Sequence, residues 1–263
     1  MSSAEINLLN ERFGIAEQLR FTRGEGGLTF IEVLTEQAGA RIALQGAQLI
    51  HWAPAGEAPV IWLSPQARYA RGSSLRGGVP VCWPWFGPHG TQADYPAHGF
   101  ARTAPWDVMA TRLDDDGRIG IRLQLPVRAM RDDIWPHAAR LELAITVGTA
   151  LEMELQTCNA GDETIVIGEA LHTYFQVSDI RKVAISGLED CEYQDKVGEG
   201  GSRHQSGRIR FTQETDRVYL HTTADCCIHD PGLKRQISPT VIGVDLSLFG
   251  IGHGVIKRSG WKL

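Results

Sequence analysis

The sequence predicts an all-β chain folded as a large antiparallel β-sandwich. Three observations carry this. Apolar side chains recur at every second position: Ile119, Ile121, Leu123 and Leu125; Leu141, Leu143, Ile145 and Val147; Leu151, Met153 and Leu155. Polar residues such as Arg140, Glu142, Thr146, Glu152 and Glu154 stand between them, the mark of half-buried antiparallel strands. Turn signals, Gln45-Gly46 and Gly148-Thr149-Ala150, separate such runs. Helical patterns are scarce after residue 27. A length of 263 residues suits one such domain, 1–263, because sandwiches often reach that size as a single unit.

In chain order, 4–12 and 15–21 mix apolar and charged positions and read as a short helical entry. From Leu28 a β-branched-rich alternation begins. Residues 41–52 read as strand, turn and strand, and 60–64 as a short apolar strand. A long irregular stretch, 75–106, follows. Further strands are expected at 164–177, 182–186, 208–212, 217–222 and 226–229.

Composition bounds the function. The net charge of −5 gives no reason to expect nucleic acid or an anionic membrane as partner. No apolar run reaches the length of a spanning helix. The N-terminal residues lack the basic-then-apolar layout of a secretion signal. Five cysteines without CxxC spacing read as free thiols in a reducing, cytoplasmic setting.

The stretch 75–106 is where chemistry is expected. It holds Arg76, Arg102, His89, His98, Trp83, Trp85 and Trp106. A run of roughly thirty residues without a period is usually a functional loop or a disordered linker, and its aromatic content argues for order. Two arginines from one loop suit a phosphate or carboxylate, which a guanidinium fork can grip bidentately. The glycines after Arg76 let backbone approach a ligand closely. Trp83 and Trp85 are either a stacking face for a sugar or core filler. His172 is a strand histidine that becomes a general acid or base if it faces a cleft. Glu169, three residues before it, points to the opposite face. Asp195 by itself reads as a solvated loop aspartate. Cys226, Cys227 and His229 fit no zinc spacing, so no metal is assigned.

Taken together, Leu-Arg-Gly-Gly-Val-Pro-Val-Cys-Trp-Pro-Trp-Phe-Gly (75–87), Ala-His-Gly-Phe-Ala-Arg (97–102) with Trp106, and Leu-His-Thr-Tyr-Phe (171–175) resemble the hexose-6-phosphate mutarotases, or glucose-6-phosphate 1-epimerases, of the aldose 1-epimerase superfamily. Supporting motifs are Leu-Gln-Gly-Ala-Gln (44–48), Ile-Trp-Leu-Ser-Pro (61–65) and Gly187-Leu188 leading to Tyr-Gln-Asp-Lys (193–196). The likeness is collinear from about residue 28 to about residue 235.

The resemblance implies a galactose-mutarotase-like sandwich acting, as a monomer and without a cofactor, on a phosphorylated hexose. It implies His172 as catalytic acid and Arg76, Arg102, Asp195 and His98 as substrate-binding residues. Two departures stand out. Ala97 occupies the place of a glutamine that binds substrate. The glutamate that serves as base has no match after residue 231, where Asp245 is the remaining acid. A frame change or truncation, a substitution by Asp245, and a binding module that has lost turnover each account for this end. The first predicts a missing core strand and poor order after about residue 238. A metal enzyme using His98, His172 and the cysteines is the remaining alternative.

Overall fold

The chain begins with a capped helix, α1 (Ser3–Phe13). The Ser2 side chain accepts from the Glu5 backbone N–H, and the Glu5 carboxylate accepts from that of Ser2, a reciprocal capping box. Gly14 stops the helix by donating to the Asn10 carbonyl. The second helical stretch expected at 15–21 is absent. Ile15 and Leu19 close a tight turn, and β1 (Leu19–Arg23) starts there. The Asn10 side chain accepts from Phe21 N–H at 2.8 Å and donates to its carbonyl at 2.9 Å. Tertiary pairing thus overrides a weak local preference.

The computed structural model describes residues 1–197, 200–222, 224–242 and 259–262. β1 continues into β2 (Thr29–Leu34), β3 (Ala38–Ala43) and β4 (Gln48–Pro54), an antiparallel sheet in chain order. The irregular stretch 75–106 contains a short strand, β5 (Val81–Cys82). A meander follows: β6 (Asp107–Leu113), β7 (Ile119–Gln124), β8 (Ala139–Val147) and β9 (Leu151–Asn159). Its inward residues are those the alternation predicted. Leu141, Leu143, Ile145 and Val147 are fully buried on β8. They share one core with Val33, Ile42 and Leu49 of the first sheet, as β3 packs across onto β8.

Later strands are short: β10 (Ala170–Leu171), β11 (Ala184–Ser186), β12 (Glu192–Asp195), β13 (Gly201–His204), β14 (Ile209–Arg210), β15 (Arg217–Tyr219), β16 (Cys227–Asp230) and β17 (Arg235–Ile237). β10 pairs with β5; β14-β11-β16-β17 and β13-β12-β15 form two further sheets. The strand expected across 164–177 is therefore confined to Ala170–Leu171. β18 (Thr240–Ile242) and β19 (Ser259–Lys262) complete the large sheet in the order β18-β19-β9-β8-β7-β6. The missing core strand and poor order expected after about residue 238 fall largely on residues outside those described. Asp245 and the rest of 243–258 lie outside the described residues.

Candidate active site

Backbone pairing builds a ribbon of three segments. β10 runs antiparallel to β5, with Ala170 opposite Cys82 and Leu171 opposite Val81. The pairing continues past both strands. His172 N–H donates to the Pro80 carbonyl at 3.0 Å and Tyr174 N–H to that of Gly78 at 2.9 Å. On the far side Gly78 N–H donates to Trp62 and Trp62 N–H to Tyr174. Arg76 enters the middle segment and is exposed, its carbonyl held by Ser64 N–H. Gly77 and Gly78 have φ of +103° and +70°. A Cβ on Gly78 would lie 2.4 Å from the Leu49 carbonyl. These glycines admit the protein's own strands, not a ligand.

Along this ribbon His172 and Tyr174 fall on one face, two residues apart. Their rings stack at 4.9 Å and 15°. Trp62 lies beyond Tyr174 at 6.0 Å, and His98 stands on the other side of His172 at 5.9 Å, edge to face. Phe86 touches both imidazoles, 4.8 Å from His98 and 5.8 Å from His172, yet is 48% exposed. An exposed aromatic ring beside two histidines offers an apolar face for stacking.

His98 is fixed by the loop itself. Its backbone N–H donates to the Gly87 carbonyl at 2.7 Å, and Gly87 N–H donates to His98 Nδ1 at 3.1 Å. An Nδ1 that accepts carries no proton, so the neutral ring has its proton on Nε2 and offers a donor. Burial, then the charge of Arg102, then that of His172 hold its pKa below the ordinary imidazole value. His172 is lowered as well, chiefly by burial. Its own carbonyl favours the charged form, the Arg102 charge opposes it, and the Asp216 carboxylate favours it. Arg102 is thus within electrostatic reach of both rings. Its Nη2 donates to the Ala97 carbonyl at 2.7 Å, while its buried Nε has no partner among the described residues.

The structure therefore brings together His98, His172 and Arg102, with Arg76 on the same ribbon. Asp195 is placed differently. It closes β12, its side chain is 14% exposed, and it is tied to Arg203 at 3.9 Å and to Val197 N–H. It is not a solvated loop residue. It lines a cavity of about 170 Å³ with Arg203, Gln213, Glu214 and Arg217. Lys196 N–H donates to the carbonyl of Asp216, the residue whose carboxylate acts electrostatically on His172. A cavity of about 450 Å³ on the polar face of β7–β9 is lined by none of the five predicted residues.

Trp83 is core filler: it is fully buried, and its Nε1 donates to Thr157 Oγ1 at 3.1 Å. Trp85 is half-buried against His89 and Tyr95, donating to the Pro96 carbonyl. Sequence reasoning missed Phe86, Tyr174, Trp62 and Asp216. The two-residue spacing of His172 and Tyr174 was a usable signal. Nothing local marked Phe86. No group of three or more His, Cys, Asp or Glu side chains suited to a metal occurs among the described residues.

A family model described as aldose 1-epimerase matches residues 31–242. The chain belongs to the aldose 1-epimerase family. The span agrees with the collinear motifs read between about 28 and about 235. A relative from Escherichia coli K12, named "Putative glucose-6-phosphate 1-epimerase", is 42% identical over 212 residues, 80% of this chain and 70% of the relative. One of the same name from Cenchrus ciliaris is 31% identical over 214 residues, 78% of this chain and 64% of that one. The crystal structure of a "putative mutarotase", YeaD, from Salmonella typhimurium superposes with a TM-score of 0.80 at 33% identity, over 98% of this chain and 90% of the other. A galactose mutarotase related enzyme from Lactobacillus acidophilus, at 14% identity and TM-score 0.62 over 89% of this chain and 84% of that one, shares the fold. This member of the family is a sugar epimerase with the mutarotase-like β-sandwich.

Proposed function

We propose that the enzyme interconverts the α and β anomers of a hexose 6-phosphate, with D-glucose 6-phosphate as the first substrate to test. The observation that carries this reading is the meeting of two imidazoles, both shifted by burial and within electrostatic reach of Arg102, on a ribbon that an exposed Arg76 precedes in sequence. The relatives named for glucose 6-phosphate support the same substrate class.

Anomer exchange requires the pyranose to open. An acid protonates the ring oxygen while the proton of the anomeric hydroxyl passes to solvent water, because no glutamate matches the family's base in this chain. C1 turns about the C1–C2 bond, and the ring closes on the other face. His172 is the acid. Burial makes its cation a stronger acid than free imidazolium, though a scarcer one. A phosphate dianion held by Arg76 and Arg102 would offset the guanidinium charge that disfavours that cation. His98, donating through Nε2, holds a sugar oxygen, and Phe86 supports the ring's apolar face. Asp195 contributes from the β12 rim. The step is a proton exchange with no change of oxidation state, so it calls for no redox cofactor.

The test is polarimetry on freshly dissolved α anomer. The folded protein is expected to shorten the approach to equilibrium for glucose 6-phosphate far more than for glucose. Equilibration at the rate of the buffer blank would sink catalysis. Equal acceleration of both sugars would sink the phosphate clamp.

A further inference from the structure

The turn 44–48 joins β3 to β4 and touches both arginine-bearing segments. Gln45 Nε2 donates to the carbonyls of Ala70 and Ser73 at 3.0 and 2.7 Å, and Gln45 Oε1 accepts from Gly72 N–H at 2.8 Å. Gln48 is fully buried, and its Nε2 donates to the carbonyls of Leu75 and Gly77 at 3.0 and 2.6 Å. These two carbonyls flank Arg76, and the carbonyl between them is held by Ser64 N–H at 3.0 Å. Three successive peptide groups around Arg76 are thus pinned.

The same turn reaches the second arginine. Gly46 N–H donates to the Ala104 carbonyl at 2.7 Å, and Gln45 bridges to Pro105. Gly46 has φ of +76°, and a Cβ there would stand 2.4 Å from the carbonyl of Arg102. The middle of the five-residue turn (44–48) therefore packs on the backbone of Arg102 while its last residue holds that around Arg76. Gln48 also keeps a buried Oε1 without a partner among the described residues. A core chosen for stability alone avoids such an oxygen. Retaining it makes sense if both amide hydrogens are needed where they are.

We infer that Gln48 is a positioning residue for Arg76, and that the turn 44–48 gauges the separation of the two guanidinium-bearing segments, so that the site takes a phosphorylated hexose in preference to a bare one. This rests on the hexose-phosphate reading above. Gln48 touches no substrate; it acts through the backbone of Arg76.

The experiment is a double-mutant cycle with Gln48→Met, which keeps the length and loses the donor, and Arg76→Ala. KM and kcat for glucose 6-phosphate and the inhibition constant of inorganic phosphate are read in all four proteins. Gln48→Met should raise KM and the phosphate inhibition constant together, by about ten- to a hundredfold, the scale of a misplaced binding group. Its kcat should stay within about twofold, as expected when binding shared by ground and transition states is lost. In the Arg76→Ala background the same substitution should change neither constant. Effects that multiply, or a fall in kcat at constant KM, would overturn the inference. An Arg76→Ala protein with unchanged KM would instead overturn the phosphate reading beneath it. Gln48→Asn, too short to reach the carbonyls, is the second variant and should reproduce Gln48→Met. If circular dichroism finds both unfolded, Gln48 is structural and the inference falls.

Discussion

His172 is asked to carry a proton where burial and Arg102 both disfavour its charge. An NMR titration of its ring protons should give a midpoint below 6.5, and Arg102→Ala should move it upward by removing one of the lowering charges. His172→Asn should reduce kcat by about 10²–10⁴-fold, the usual contribution of one positioned acid, with KM little changed. Glu169 shows the opposite shift. It is buried, accepts from Thr157 Oγ1 at 2.8 Å, and its Oε1 has no partner among the described residues; burial pushes its pKa up to about 7. A raised carboxyl pKa contributes stability fully present below about 4.5, the unfolded value, and lost as pH rises through about 7. The folded chain must then hold a buried charge, a cost of roughly 3 kcal/mol from the size of that shift. Glu169→Gln should therefore flatten the fall in melting temperature between pH 5 and pH 8. At this scale the two residues keep different company: Glu169 meets Thr157, and His172 meets Phe86 and His98. The sequence could not show that Trp83 is sealed in the core while Phe86 stands open beside the histidines. Both are aromatic residues of one loop, and the distinction depends on what packs over each.

Elements with a long period were legible, and short ones were not. The nine-residue strands β8 and β9 repeat the two-residue period often enough for every inward position of β8 to be read. A two-residue strand such as β5, β10 or β14 has no period; its pairing with a distant segment defines it. β13, exposed at all four positions, carries no apolar signal. The ribbon of the candidate site belongs to this second class. Its motif residues were visible, but the way 60–64, 77–82 and 170–176 lie side by side was not. That ribbon depends on Gly78, whose positive φ and close approach to Leu49 leave no space for a side chain. Gly78→Ala should cost at least about 2 kcal/mol, the scale of left-handed backbone strain with a clash added. Denaturant unfolding would measure this, and KM should suffer more than kcat because Arg76 sits two residues away.

At the scale of the molecule, two sheets share one apolar core centred on β8, so stability is concentrated there. Leu143→Ala should cost about 2–5 kcal/mol through lost contacts and a residual cavity. Thermal unfolding should show a melting temperature lower by roughly 5–15 °C, with the substrate KM unchanged. A change below about 1 kcal/mol would mean that the site collapses around the smaller side chain. One side chain adds a tie between a late strand and the early segments. Arg235 on β17 donates through Nη1 to the carbonyl of Ala58, and through Nη2 to those of Pro59 and Gln176. During synthesis those three acceptors must wait for the ribosome to release the far end of the chain. Nascent polypeptides stalled just short of Arg235 should be cut near residue 58 by added protease, and ones stalled well past it should resist.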